Sequence, residues 1–225
     1  PWADIIRPTT TDTMNSGSLF NLEYRGSDNT VLDSLYIEFS SDGVQWDSVY
    51  FSDFIDINMS YWSDTTSWTY NWTVPDSIVC TDCNMKVTVY DTVGLSNFDI
   101  NTLSIVDNIA PIASNIQFED TDNNAITSIA EHSSLNVSWD ATDDIGVSNV
   151  EILYSADNKV TYTTVYTESY DTAEISNSYL GTFTIPIQNF TDVDSGYIEI
   201  IVYDEASNTD TLKSSIRVTD YTPPW

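Results

Sequence analysis

Along most of this chain, apolar side chains fall at every second position. Phe20, Leu22 and Tyr24 alternate with polar residues, as do Leu35, Ile37 and Phe39; Trp68, Tyr70, Trp72 and Val74 follow, then Met85, Val87 and Val89. The pattern resumes at Leu135, Val137 and Trp139. It continues through Val150-Ile152-Tyr154, Gly181-Phe183-Ile185, Ile198-Ile200-Val202 and Leu212-Ser214-Ile216-Val218. Successive side chains of a strand point to opposite faces, so a period of two predicts strands with one buried and one solvated face. Turn-forming pairs, Asp42-Gly43, Asp157-Asn158 and Ser195-Gly196, sit between the runs. No stretch carries a competing helical period. Many short strands closed by turns predict an all-β chain of sandwich type, with about seven strands in each half.

The halves repeat one another. Trp72-Thr73-Val74-Pro75 recurs as Phe183-Thr184-Ile185-Pro186, Val89-Tyr90-Asp91 as Val202-Tyr203-Asp204, and Ser96-Asn97 as Ser207-Asn208. Phe39-Ser40-Ser41-Asp42-Gly43 parallels Tyr154-Ser155-Ala156-Asp157-Asn158. The order is the same in both halves and the offset stays near roughly 110 residues, which is the signature of a duplicated domain. The expected boundaries are 1–107 for the first repeat and 108–220 for the second, with 221–225 opening a join to a following repeat. Asp107-Asn108-Ile109-Ala110-Pro111 is the join between them, and Asp220-Tyr221-Thr222-Pro223-Pro224-Trp225 looks like the same join again. Pro1-Trp2 reads as the continuation of another, so a further repeat is expected on each side.

Leu135-Asn136-Val137-Ser138-Trp139, then Val150 to Ser155, then Val202-Tyr203-Asp204 with Ser207-Asn208 resembles the bacterial and archaeal immunoglobulin-like or fibronectin type III-like repeats. The first half shows the same order, with Tyr24 where the second has Trp139. The resemblance spans nearly the whole chain and rests on packing and turn signals. It implies two tandem β-sandwich domains and an extracellular or cell-surface setting: S-layer proteins, adhesin stalks, surface filaments or fibres, and appendages of secreted hydrolases. It implies no reaction.

Charge narrows the partners. Thirty-five acidic residues stand against six basic ones, a formal net charge of -29. Such a surface repels phosphate backbones and anionic membranes, which argues against nucleic-acid binding. It recruits cations and gains from salt, which shortens the range of self-repulsion. No apolar run is long enough to span a bilayer, so direct membrane insertion is not expected. The expected partners are neighbouring repeats of the same long chain and copies of itself, with glycans as a further class.

Candidate chemistry is sparse. Catalysis is not expected: a Ser-His-Asp arrangement would need His132, the single histidine, and no nucleophile turn accompanies it. With so many acids, a carboxylate pair is uninformative. No cofactor is required by anything in the sequence, but calcium is a candidate, since it takes six to eight oxygens from Asp, Asn and main-chain carbonyls. Asp91 and Asp204 end the penultimate strands while Asp107, Asn108 and Asp220 lie at the joins, and one end of a sandwich could gather them. Asp140, Asp143 and Asp144 form a second acidic group. Solvated turn aspartates are the plainer alternative.

Cys80 and Cys83 lack the further ligands a zinc site needs, and a local disulfide suits an oxidising exterior; free buried thiols are the alternative. Four sequons, at Asn58, Asn71, Asn136 and Asn189, make a glycoprotein conceivable, and strand alternation places Asn71 and Asn136 on outward faces. Phe51, Phe54, Tyr61 and Trp62 crowd a connection with more aromatics than a connection needs. They could form a contact surface for sugars or another chain, or fold back over their own core. The leading function is a structural building block of a surface layer, adhesin stalk or fibre that sets spacing and self-assembly contacts. The alternative is a carbohydrate- or partner-binding module, or a spacer domain of a secreted hydrolase.

Overall fold

The computed structural model describes residues 1–29, 31–53, 67–130, 133–156, 159–182 and 195–219. The chain divides into two compact units, Pro1–Asn108 and Ile109–Trp225.

The first unit holds β1 (Trp2–Arg7), β2 (Thr13–Asn15), β3 (Leu19–Ser27), β4 (Leu32–Ser40), β5 (Asp47–Asp53), β6 (Trp68–Thr73), β7 (Cys80–Asp91) and β8 (Ser96–Val106). They form a three-stranded sheet, β1-β3-β6, and a five-stranded sheet, β2-β8-β7-β4-β5. Neighbours are antiparallel except β2, which runs parallel to β8. The period-two pattern explains which face is buried. On β4, Leu35, Ile37 and Phe39 are at most 2% exposed, whereas Tyr36 between them is 38% exposed. Val87 and Val89 of β7 and Leu103 and Ile105 of β8 join them; Leu22, Tyr24 and Trp72 complete the core from the other sheet. Phe39 and Trp72 meet across the gap with ring centroids 5.0 Å apart. Each such aliphatic side chain taken from water contributes roughly 1.5–3 kcal/mol, so the alternating stripes are the main cohesive force.

The second unit holds β9 (Ile112–Glu119), β10 (Ser128–Ala130), β11 (Ser134–Ser155), β12 (Thr163–Thr182), β13 (Ser195–Asp204) and β14 (Thr209–Thr219). β11 and β12 are 22 and 20 residues long, and their ladders join the unit's six strands into one sheet, ordered β10-β14-β13-β11-β12 with β9 also on β11. The first half of β11 pairs with β9 and with the second half of β12; its second half pairs with β13 and with the first half of β12. Register shifts between Thr142 and Val147 mark the crossing. β9 and β13 thus take opposite halves of β11, so that the one sheet folds over a shared core, and β10 runs parallel to β14 as β2 does to β8. Both units have the immunoglobulin-like plan of two layers packed face to face.

One expectation needs correcting. Leu135–Trp139 and Val150–Tyr154 are one continuous strand, because the acidic residues between them form an irregular stretch of β11 instead of a turn. A bulge absorbs residues that break the alternation without ending the strand. Among the described residues the first unit has eight strands and the second six, in keeping with the expected sandwiches of about seven strands. The three-residue strands β2 and β10 are too short to show a period. The run Gly181-Phe183-Ile185 reaches past Thr182, the end of β12, into residues outside those described.

Candidate functional site

The β7–β8 and β13–β14 hairpins are built on an aspartate each. Asp91 is 4% exposed, and its Oδ1 accepts hydrogen bonds from the amides of Val93 at 3.0 Å and Leu95 at 2.8 Å. Gly94, at φ 84°, closes the turn by donating to the Asp91 carbonyl. Asp204, 2% exposed, repeats the device: its Oδ1 accepts from the Asn208 amide at 2.7 Å, and its Oδ2 from the Asn208 side-chain Nδ2 at 2.7 Å. Ser207 holds φ 71° where Gly94 stands in the first unit. Two of the expected calcium ligands are thus first of all turn caps, the local bonding that makes Asp a turn residue. Exposed Asp42 caps the β4–β5 turn in the same way. Amide donation from Gln45 and then Val44, with help from the Ser40 hydroxyl, holds its carboxyl below the ordinary range.

Among the described residues Asp91 joins no metal-ligating group. Asp107 is 9% exposed and accepts from the Ser16 hydroxyl at 3.5 Å. Asn108 is exposed, and Asp220 lies outside the described residues. In the second unit, Asp143 and Asp204 have carboxylate oxygens within 4.8 Å of each other. Asp143 Oδ1 accepts from the Ile145 and Gly146 amides at 3.0 and 2.7 Å, while its Oδ2 is buried with no hydrogen-bond partner. Sequence reasoning put Asp143 in a separate acidic group; only the crossing of β11 carries it to the end of β13. Two neighbouring carboxylates, one with a buried oxygen that lacks a partner, supply part of the oxygen shell a hard cation takes.

Cys80 and Cys83 form a disulfide, with Cys83 in the core at 0% exposure. It straddles the register shift in the β7–β8 ladder, where Cys80 faces Ile105 and Cys83 faces Leu103.

The sequons divide. Asn71 is exposed on β6 and accepts from the Asn21 side chain across the strand pair at 2.8 Å. Asn136 is not on an open face as expected. It is 8% exposed, and its Nδ2, the atom a glycan would need, donates to Glu119 at 3.0 Å. Alternation puts it on the correct side of β11, but β9 and β12 flank it on both sides and cover it. Asn58 and Asn189 lie outside the described residues, as do His132, Phe54, Tyr61 and Trp62.

Of the expected aromatic contact surface, Phe51 is described, and it stands 49% exposed on β5. It packs on Tyr36 with centroids 4.7 Å apart, and Tyr36 meets Tyr90 edge-on at 5.7 Å. Phe98, 58% exposed, lies on the same outer face because it pairs with Thr88 of β7, as does Tyr36. Glu38 and Lys86 pair at 2.7 Å beside them, and the Lys86 ammonium sits 4.2 Å from the Trp46 ring centroid. A shallow depression of about 450 Å³ opens here between Asp33, Tyr36, Glu38 and Tyr90. Sequence reasoning missed Tyr36, Tyr90 and Phe98, since each alone reads as the outward position of an alternating strand.

No family model and no curated protein matches the chain. Solved structures that it resembles include the fibronectin(III)-like modules of CbhA from Clostridium thermocellum, at 13% identity and a TM-score of 0.34, covering 97% of this chain and 95% of that one. Another is a tetra-tandem repeat from the extending region of a large adhesion protein, at 12% identity and a TM-score of 0.45, covering 96% and 48%. A third is a Ca²⁺-stabilized, ice-binding adhesin of an Antarctic bacterium, at 14% identity and a TM-score of 0.31, covering 99% and 50%. At these scores the likenesses decide nothing about what this chain binds or builds. Among the described residues no helix is long and apolar enough to cross a membrane.

Proposed function

We propose that this chain is a structural segment of an extracellular surface protein, a pair of sandwich repeats that sets spacing in a layer, stalk or fibre. The observation that supports it most is the internal duplication carried to the level of the ladder: each unit closes its last hairpin on a buried aspartate and sets one short strand parallel to its last strand. Duplicated modules with separate cores suit an array whose length scales with repeat number. The aspartates with several hydrogen bonds to their carboxylates, Asp42, Asp91, Asp120 and Asp204, hold turns. Immunogold electron microscopy with antibodies to this chain tests the reading. Label on an outer layer or fibre is expected; label confined to the cell interior would sink it.

A second reading, a glycan- or partner-binding module, is favoured by the outer face of the first unit, where Tyr36, Phe51, Tyr90 and Phe98 form an accessible aromatic surface. Aromatic faces stack on sugar rings and anchor protein contacts. Glycan-array binding lost in Tyr36→Ala and Phe51→Ala would establish it; an array blank for the unaltered chain would remove the glycan form of it.

Calcium fits the spacer reading as a stiffener of the second unit, received by Asp143 and Asp204. The motivating feature is the buried, unmatched Oδ2 of Asp143. Melting in calcium is expected to exceed melting in chelator by several degrees at saturating ion. Asp143→Asn should abolish the difference, and coincident curves for the unaltered chain would dismiss the ion.

A further inference from the structure

In each unit the head of the last strand carries the same motif, Ser96-Asn97-Phe98-Asp99 and Ser207-Asn208-Thr209-Asp210, and in each it grips the main chain of the first strand. Asn97 Nδ2 donates to the Pro1 carbonyl at 3.2 Å, and Asn208 Nδ2 to the Ile109 carbonyl at 3.3 Å. Asp99 Oδ2 accepts from the Ile5 amide at 2.8 Å, and Asp210 Oδ2 from the Ala113 amide at 2.9 Å. The first unit adds Asn101, whose Nδ2 donates to the carbonyls of Ile5 at 3.1 Å and Pro8 at 2.8 Å. In the ladder Val89 faces Asn97 whereas Val202 faces Asp210, so the motif sits two residues earlier in the second unit, and Ser214 stands where Asn101 does.

Among the described residues, these bonds join strands that no backbone ladder joins directly. β1 pairs with β3 and β9 with β11, whereas β8 pairs with β2 and β7, and β14 with β10 and β13. Side chains thus substitute for a ladder across the open edge of the sandwich. Asn97, Asp99 and Asn101 reach successively later residues of the first strand, so the two strands run in the same sense. Pull a unit by the start of its first strand and the end of its last, and two parallel neighbours slide past each other. Every bond between them is then loaded at once instead of one after another.

We propose that the Asn-x-Asp motif at the head of β8 and of β14 is a tension clamp, coupling the first and last strands so that each unit resists stretching along a surface array. This deepens the spacer reading and rests on it for the presence of load. The apolar core resists thermal unfolding from all sides, whereas the clamp lies on the path between the pulled ends.

Single-molecule pulling of the whole chain between handle proteins tests this, with thermal midpoints measured on the same variants. Asp99→Ala should lower the rupture force of the first unit alone and Asp210→Ala that of the second alone. Asn101→Ser, which installs the residue found at the matching ladder position 214, should lower the first unit's force while sparing the fold. Asp99→Asn, which keeps an oxygen for the Ile5 amide, should restore most of the loss. Phe51→Ala, on an edge strand off the load path, should lower the thermal midpoint and leave both forces in place. Forces unchanged in the Asp99, Asp210 and Asn101 variants, or lowered no more than by Phe51→Ala at equal thermal cost, would refute the clamp. Such a result would leave surface localisation intact, and an intracellular location would leave the measured forces intact, so the two failures are distinct.

Discussion

Single aspartates do more here than a net charge of -29 suggests. Asp91 and Asp204 are nearly inaccessible, and each satisfies amides that a tight hairpin would otherwise leave to water. Asp91→Ala removes the acceptor of two bonds and should cost about 1–3 kcal/mol in urea unfolding, the range for hydrogen bonds to a charged group. An unchanged midpoint would mean that the turn holds through Gly94 alone. Tyr24 is a second residue-scale lever. Burial, reinforced by nearby Tyr50 and Tyr70, pushes its phenol from 10.0 up to about 12. The unfolded chain therefore releases this proton first, and stability should fall as pH rises from 10 to about 12. Tyr24→Phe should flatten that decline; a decline of the same steepness in the variant would assign it to other tyrosines.

At the scale of elements, the second unit shows how two strands can cross between layers without a break. Away from that crossing, at the far end of β11, the start of β13 lies close against its neighbour. A Cβ built on Gly196 would stand 2.7 Å from the Tyr154 ring of β11. Gly196→Ala should therefore destabilise the unit by about 1–3 kcal/mol, as overpacking does. Adding Tyr154→Leu should recover part of that loss, since the ring is the obstacle. If the double variant melts below both single ones, the contact is not the cause. The pair Asn71 and Asn136 teaches the same lesson about neighbours: both are outward positions of alternating strands, but β9 and β12 cover only the second.

For the whole molecule, charge opposes compaction. Like charges at this density repel over a Debye length of about 30 Å at 0.01 M salt and about 3 Å at 1 M, so added salt relieves the folded state more than the extended one. The thermal midpoint should rise steadily with sodium chloride across that range. A midpoint that falls with salt would show that ion pairs such as Lys86 with Glu38 outweigh the repulsion.

Alternation along the chain determined a great deal by itself: the strand-rich class, the buried faces of β4 and β7, and the likeness between halves that reappears in the ladders. These features are local, because a strand's two faces follow from the geometry of one residue and the next. What depends on partners was decided only by tertiary structure. Whether Asn136 meets water, which Asp joins Asp143, and that Asn97 and Asp99 grip a strand some ninety residues earlier are matters of which strand lies beside which. Period-two alternation tells a side chain which way to point. The folding of the two layers against each other decides what it meets there.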